Sequence, residues 1–276
     1  MPLDLTQVGP PPSIHKPDRI WTYKTVGDME LKAHGFSPRD VRQTHGKAAF
    51  LFFHPGGWSM GEAAWGYDLC HRYAVSGMEA ISFQYRKSSA GGYTPVDALL
   101  DAKSAIRWTR KYAAMLGIDP SLVVGSGISA GAHLALCAAM LLGGDDPGDD
   151  QAFSPVPNAL ALQCAPVDSA SDPQFVELLQ GRYSPRDYSP ASHVRSGLPP
   201  MCLVHGTADE IVPYDSVKEF VGAMEAAGNL CELYTFEGTD HFFTKKSDQV
   251  EALKMIDGFL RGLGYVEKEA PHLKSR

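Results

Sequence analysis

An α/β fold is what this sequence predicts: one domain on a mostly parallel central sheet, with helices over both faces. Three observations predict it. Short apolar runs at 48–54, 80–85, 122–124, 159–164, 201–205 and 230–236 alternate with stretches of helical patterning. Runs of that kind mark strands buried on both faces, and their alternation with helices implies right-handed βαβ crossovers. The 276 residues, 44% hydrophobic and 21% charged, suffice for one large core, and no internal repeat divides them.

Residues 1–19 read as a proline-rich arm. They lack the basic-then-apolar pattern of a secretory leader, so the expectation is a cytoplasmic protein; a secreted one already trimmed would read the same. Segments 21–26 and 29–34 read as two strands joined through Gly27-Asp28 as a hairpin turn. The apolar run 48–54 leads directly into His54-Pro55-Gly56-Gly57-Trp58. A helix over 63–75 and a strand over 80–85 follow. Thr94-Pro95 opens a long amphipathic helix to 116, with proline at its start and Gly117 at its end.

Next comes the apolar run 122–124, then Gly127-Ile128-Ser129-Ala130-Gly131, then an Ala/Leu-rich helix over 132–142. Residues 143–157 read as a surface loop. Its aspartates, Asp145, Asp146, Asp149 and Asp150, do not have the spacing of an EF-hand and read as a solvated acidic loop. A strand over 159–164 precedes 168–193, where proline, tyrosine and charge break the rhythm and suggest a small cap or lid. A strand over 201–205, a helix over 216–227, a strand over 230–236 and a helix over 248–260 close the domain.

Several classes of function fall away on composition. The net charge of −7 and the lack of a basic run argue against nucleic acid or anionic membrane as partner. No apolar stretch approaches the length that spans a bilayer. Cys70, Cys137, Cys164, Cys202 and Cys231 are scattered, which supports neither a disulfide framework nor a zinc site.

The chemistry gathers at strand exits, where parallel sheets place reactive groups. Strand, sharp turn and helix around Gly127-Ile128-Ser129-Ala130-Gly131 form a nucleophile elbow, which presents a hydroxyl at the tip of the turn. A serine hydroxyl needs a base, and the base needs an orienting acid. Asp209 follows the strand over 201–205 and His241 follows the strand over 230–236, so the chain order is Ser, Asp, His. Ser129 is then the nucleophile, His241 the base and Asp209 the orienter. Asp168, past the preceding strand, is the competing acid. His54, His133 and His205 compete as base and read instead as structural. The oxyanion donors fall to the Ala130 amide and to Gly56 and Gly57, since Pro55 has no N–H. Trp58 and Phe242, beside these residues, either line the substrate pocket or are core aromatics.

Together, His54-Pro55-Gly56-Gly57-Trp58, Gly127-Ile128-Ser129-Ala130-Gly131, the segment from His205 to Pro213, and Asp240-His241 resemble the α/β-hydrolase esterases of the hormone-sensitive-lipase type. The likeness is greatest to small bacterial carboxylesterases and acetylxylan- or feruloyl-esterase-like relatives. The resemblance implies hydrolysis of carboxylic esters through an acyl-enzyme, with no metal or organic cofactor and a small-molecule ester as partner. Two departures are visible. Pro55 replaces the first glycine of the oxyanion motif, and too little chain precedes the first core strand for the large N-terminal cap of many such lipases. A minimal cap favours an open cleft and short-chain esters. Two rival readings share the motifs: a peptidase of the prolyl-oligopeptidase type, and a hydrolase-fold protein that binds a small ligand without turnover.

Overall fold

The structure is a computed structural model that describes residues 10, 12–39 and 46–266. Eight strands form one sheet: β1 (Arg19–Val26), β2 (Met29–Phe36), β3 (Lys47–Phe53), β4 (Glu79–Phe83), β5 (Ile118–Ile128), β6 (Ala159–Gln163), β7 (Met201–Gly206) and β8 (Cys231–Phe236). Their spatial order is β1-β2-β4-β3-β5-β6-β7-β8. β1 and β2 are an antiparallel hairpin, β2 meets β4 antiparallel, and every later pairing is parallel. The hairpin turns at Gly27, whose positive φ of 58° suits glycine.

The helices are α1 (Tyr67–Val75), α2 (Pro95–Lys111), α3 (Ala113–Leu116), α4 (Ala130–Met140), α5 (Pro173–Leu178), α6 (Tyr214–Ala226) and α7 (Lys246–Gly262). Sequence and structure differ in detail. The helix expected over 63–75 starts as a 3-10 turn, Ala63–Gly66, before α1. The long helix expected to 116 breaks at Tyr112 into α2 and α3, and Gly117 ends it in the left-handed region at φ 66°. Most of the arm expected over 1–19 lies outside the described residues, and Arg19 already belongs to β1.

β3 shows how the core is layered. Ala49, Leu51 and Phe53 join the cluster packed by α2 and α4, whereas Ala48, Phe50 and Phe52 join the one packed by α1 and α7. A strand buried on both faces cannot alternate apolar with polar, which is why this one reads as a continuous apolar run. α4 is buried at every position, so it carries no amphipathic stripe.

The acidic loop is not simply solvated. Arg107 and Lys103 on α2 pair with Asp145 at 2.9 and 3.3 Å, and Arg107 also reaches Asp149 at 3.7 Å. Lys24 on β1 holds Asp146 at 2.7 Å and the buried Asp101 at 2.8 Å. Long-range cation placement, invisible in the local spacing, anchors these carboxylates. Residues 168–193 fold into short helical turns around α5. Gln180 and Arg182 donate to the carbonyls of Tyr93 and Gly92, so this segment is moored to the loop after β4.

Candidate active site

Ser129 stands between β5 and α4 with φ 53° and ψ −122°, a region that side chains avoid. The flanking glycines permit it. A Cβ on Gly127 would collide with the backbone of Gly131, and one on Gly131 would collide with the carbonyl oxygens of Phe53 and His54. The second collision also shows that the start of α4 lies against the end of β3. The Ala130 amide and the loop from Pro55 to Trp58 are thereby brought together.

His241 Nε2 lies 3.0 Å from Ser129 Oγ, and its Nδ1 lies 2.7 Å from Asp209 Oδ2. The other carboxylate oxygen of Asp209 accepts from the amides of Ile211 and Val212 at 2.9 and 2.8 Å. Burial works against the charge of Asp209, but the hydrogen bond from His241 and the Val212 amide outweigh it and hold the carboxyl below its usual range. An ionised carboxylate only accepts, so the imidazole proton sits on Nδ1 and leaves Nε2 free to accept from the serine hydroxyl. That arrangement suits proton removal from an attacking oxygen. Asp168 instead takes Ser171 Oγ at 2.6 Å and Ser189 Oγ at 3.2 Å, and it makes no hydrogen bond to His241 among the described residues.

The loop after β3 runs through three consecutive positive φ values: 130° at Gly56, 54° at Gly57 and 58° at Trp58. Among the described residues no backbone carbonyl accepts from the N–H of Gly57 or Ala130. Two of the competing histidines brace this loop. His54 donates from Nδ1 to Pro55 O at 2.8 Å and stacks on Tyr85 at 4.1 Å. His133 accepts from the Trp58 indole at 3.2 Å and meets Tyr188 O at 3.0 Å. Burial pushes both imidazoles down to about 4, so both are neutral struts.

Trp58 is therefore a core aromatic rather than an open pocket wall. It is 2% exposed and packs edge-on against His133 and Phe175. Phe242 is 41% exposed and meets the His241 ring edge-on at 5.4 Å. Two neighbours of the site, Gln174 and Cys164, carried no sequence signal for a place here, and a third, His205, read only as a competing base. Gln174 on α5 approaches Gly57 O at 3.5 Å, Cys164 Sγ donates to His241 O at 3.3 Å, and His205 Nε2 lies 3.3 Å from Asp209 Oδ2. Tertiary packing brings Gln174 and Cys164 there, whereas His205 stands only four residues before Asp209 in the chain.

Cys164, His205 and Asp209 form the one group among the described residues with metal-ligand spacing. Their atoms are already engaged: Asp209 with His241, His205 Nε2 with Val212 O at 2.9 Å, and the Cys164 thiol with His241 O. Burial also pushes that thiol well above its usual range, against the thiolate a metal needs. The donor set does not fit a resident metal.

A family model described as alpha/beta hydrolase fold matches residues 50–245. Among solved structures, the chain is similar to Thermogutta terrifontis esterase 2 phosphoramylated by tabun. The two are 37% identical with a TM-score of 0.86, over 91% of this chain and 96% of that one. It is similar also to the butyrate-bound form of the thermophilic T. terrifontis esterase, 35% identical with a TM-score of 0.84 over the same shares. A probable isoprenylcysteine alpha-carbonyl methylesterase of Oryza sativa subsp. japonica is 26% identical over 75% of this chain and 54% of its own length. Esterase LipQ of Mycobacterium tuberculosis is 32% identical over 66% of this chain and 47% of its own length. The chain spans about half the length of these curated relatives.

Proposed function

The chain belongs to the α/β-hydrolase family, among the esterases of the hormone-sensitive-lipase type, and from that premise we propose that it is a serine carboxylesterase for short acyl esters. One observation carries the reading: the unbroken hydrogen-bond chain from Ser129 Oγ through His241 to the buried, ionised Asp209. In this reading Ser129 Oγ attacks the ester carbonyl carbon as His241 Nε2 takes its proton. The carbonyl oxygen becomes an oxyanion held by the amides of Gly56, Gly57 and Ala130. The tetrahedral intermediate collapses with cleavage of the carbon–oxygen bond, and the departing alcohol takes the proton from His241. Water then repeats the sequence on the acyl-serine, releasing the acid and restoring Ser129.

The short-acyl preference rests on similarity: the T. terrifontis esterase has been solved with propionate and with butyrate bound. Hydrolysis of p-nitrophenyl acetate, butyrate and octanoate by the wild type and Ser129→Ala tests the reading. Turnover that falls with chain length and vanishes in the variant is expected. Equal turnover by both proteins would remove Ser129 as nucleophile, and no turnover by either would favour the peptidase or ligand-binding reading. Esterase 2 has also been solved phosphorylated by paraoxon. Paraoxon is accordingly expected to phosphorylate this chain once, at Ser129, as read by intact mass and peptide mapping. An unmodified wild type would count against an activated serine.

A further inference from the structure

We propose that His205 is a positioning residue for the reaction, holding through Val212 the loop that supplies the amide donors of Asp209. The inference rests on the esterase reading above and adds a role to a histidine that otherwise reads as core packing. His205 is the last residue but one of β7 and is fully buried. Its Nε2 lies 2.9 Å from Val212 O, and a carbonyl oxygen only accepts, so Nε2 carries the ring proton. Nε2 also lies 3.3 Å from Asp209 Oδ2, the oxygen that accepts from His241 Nδ1, while its N–H is spent on Val212 O.

This N–H thus anchors the loop whose amides hold the carboxylate, and among the described residues it makes no hydrogen bond to Asp209 itself. Val212 donates its N–H to Asp209 Oδ1 and lends its C=O to His205, so the loop from Asp209 to Val212 closes on itself around the acid. On the far side of the ring, Nδ1 is buried and has no hydrogen-bond partner among the described residues. A satisfied apolar core position has no need for a ring with an orphaned nitrogen, and leaving one buried carries a cost. The proton at Nε2 is what the position uses. Burial keeps the ring neutral, so it donates without adding a second cation beside His241. The titratable and polar groups facing this pair are His241, Cys164, whose Sγ reaches His241 O, Asp240 and Tyr214, whose ring lies 6.2 Å from His205.

Removing the N–H releases the Val212 carbonyl and loosens the loop whose Ile211 and Val212 amides hold Asp209 Oδ1; a carboxylate held by weaker donors is more basic and grips the His241 Nδ1 proton more tightly. Three variants test this. His205→Gln places an amide near the old Nε2, His205→Asn falls short of it, and His205→Leu has no donor. In His205→Asn and His205→Leu, kcat/KM is expected to drop about tenfold, the scale of one net hydrogen bond. The acid limb of the kcat/KM profile is expected to move to higher pH, and the low-field NMR resonance of the His241–Asp209 proton to shift or broaden. His205→Gln is expected to recover most of the rate and the resonance. Should His205→Leu fail to fold, the comparison of His205→Asn with His205→Gln carries the test. Variants that melt earlier yet keep the wild-type acid limb and resonance would overturn the proposal and leave His205 as packing. The NMR readout needs no turnover. Absence of ester hydrolysis in the wild type with an intact effect on the resonance would therefore fault the esterase reading alone.

Discussion

Ser129 occupies a backbone region whose cost is about 1–3 kcal/mol, and the chain tolerates it only because Gly127 and Gly131 let β5 and α4 crowd together. Gly131→Ala must push its Cβ into the carbonyls of Phe53 and His54, which cannot yield without moving the loop after β3. Loss of esterase activity together with a lower melting temperature is expected, read by p-nitrophenyl acetate turnover and thermal melting; a variant with unchanged rate would show that the crowding is slack. Asp209→Asn is a different kind of change. It keeps the shape but offers a neutral amide to His241, so the histidine loses both its fixed tautomer and its counter-charge. A fall in kcat of about 10⁴ is expected by analogy with other triads. Loss of less than about tenfold would shift the orienting role to another acid, with Asp168 first in line.

Between elements, a buried ion pair joins α1 to α7. Arg72 and Asp257 form a hydrogen-bonded ion pair with side chains 3% and 4% exposed. Removing the carboxylate takes a buried counter-charge from the guanidinium. Asp257→Ala is expected to lower unfolding stability by about 3–5 kcal/mol, measured by urea denaturation, while kcat of whatever remains folded stays near wild type. Lys111→Ala, which breaks a pair at the solvent-facing edge of the acidic loop, is expected to leave the urea midpoint almost where it was. Equal effects from the two would mean that burial does not set the strength of these pairs.

For the molecule as a whole, acid sensitivity follows from the two histidine struts beneath the loop after β3. His54 and His133 are held down to about 4, whereas an unfolded chain's histidines titrate near about 6.5. Between those values the unfolded chain binds protons that the folded one refuses. Their contribution is therefore intact above about pH 6.5 and is lost as pH falls to about 4, by up to roughly 3 kcal/mol for each ring. Urea midpoints at pH 7, 5.5 and 4.5 check the slope, and His133→Gln is expected to flatten it. A midpoint independent of pH over that range would mean that neither ring is buried neutral in solution. Among the described residues no helix is long and apolar enough to cross a membrane.

Strand exits were legible because apolar runs and glycine turns are written locally, and this allowed Ser129, Asp209 and His241 to be named from their places behind β5, β7 and β8. Four histidines, however, look alike in sequence. Only the packed structure decides that His241 faces Ser129, that His54 and His133 brace the loop beneath, and that His205 lies behind Asp209. It alone buries Trp58, leaves Phe242 exposed beside His241, and brings Lys24, Lys103 and Arg107 to the aspartates of a loop that reads as solvated. Periodicity and turn chemistry depend on neighbours a few residues away, so the sequence determined the order of strands and helices and the elbow between them. Hydrogen-bond partners and burial depend on segments tens of residues apart, and those are chosen only when the sheet assembles.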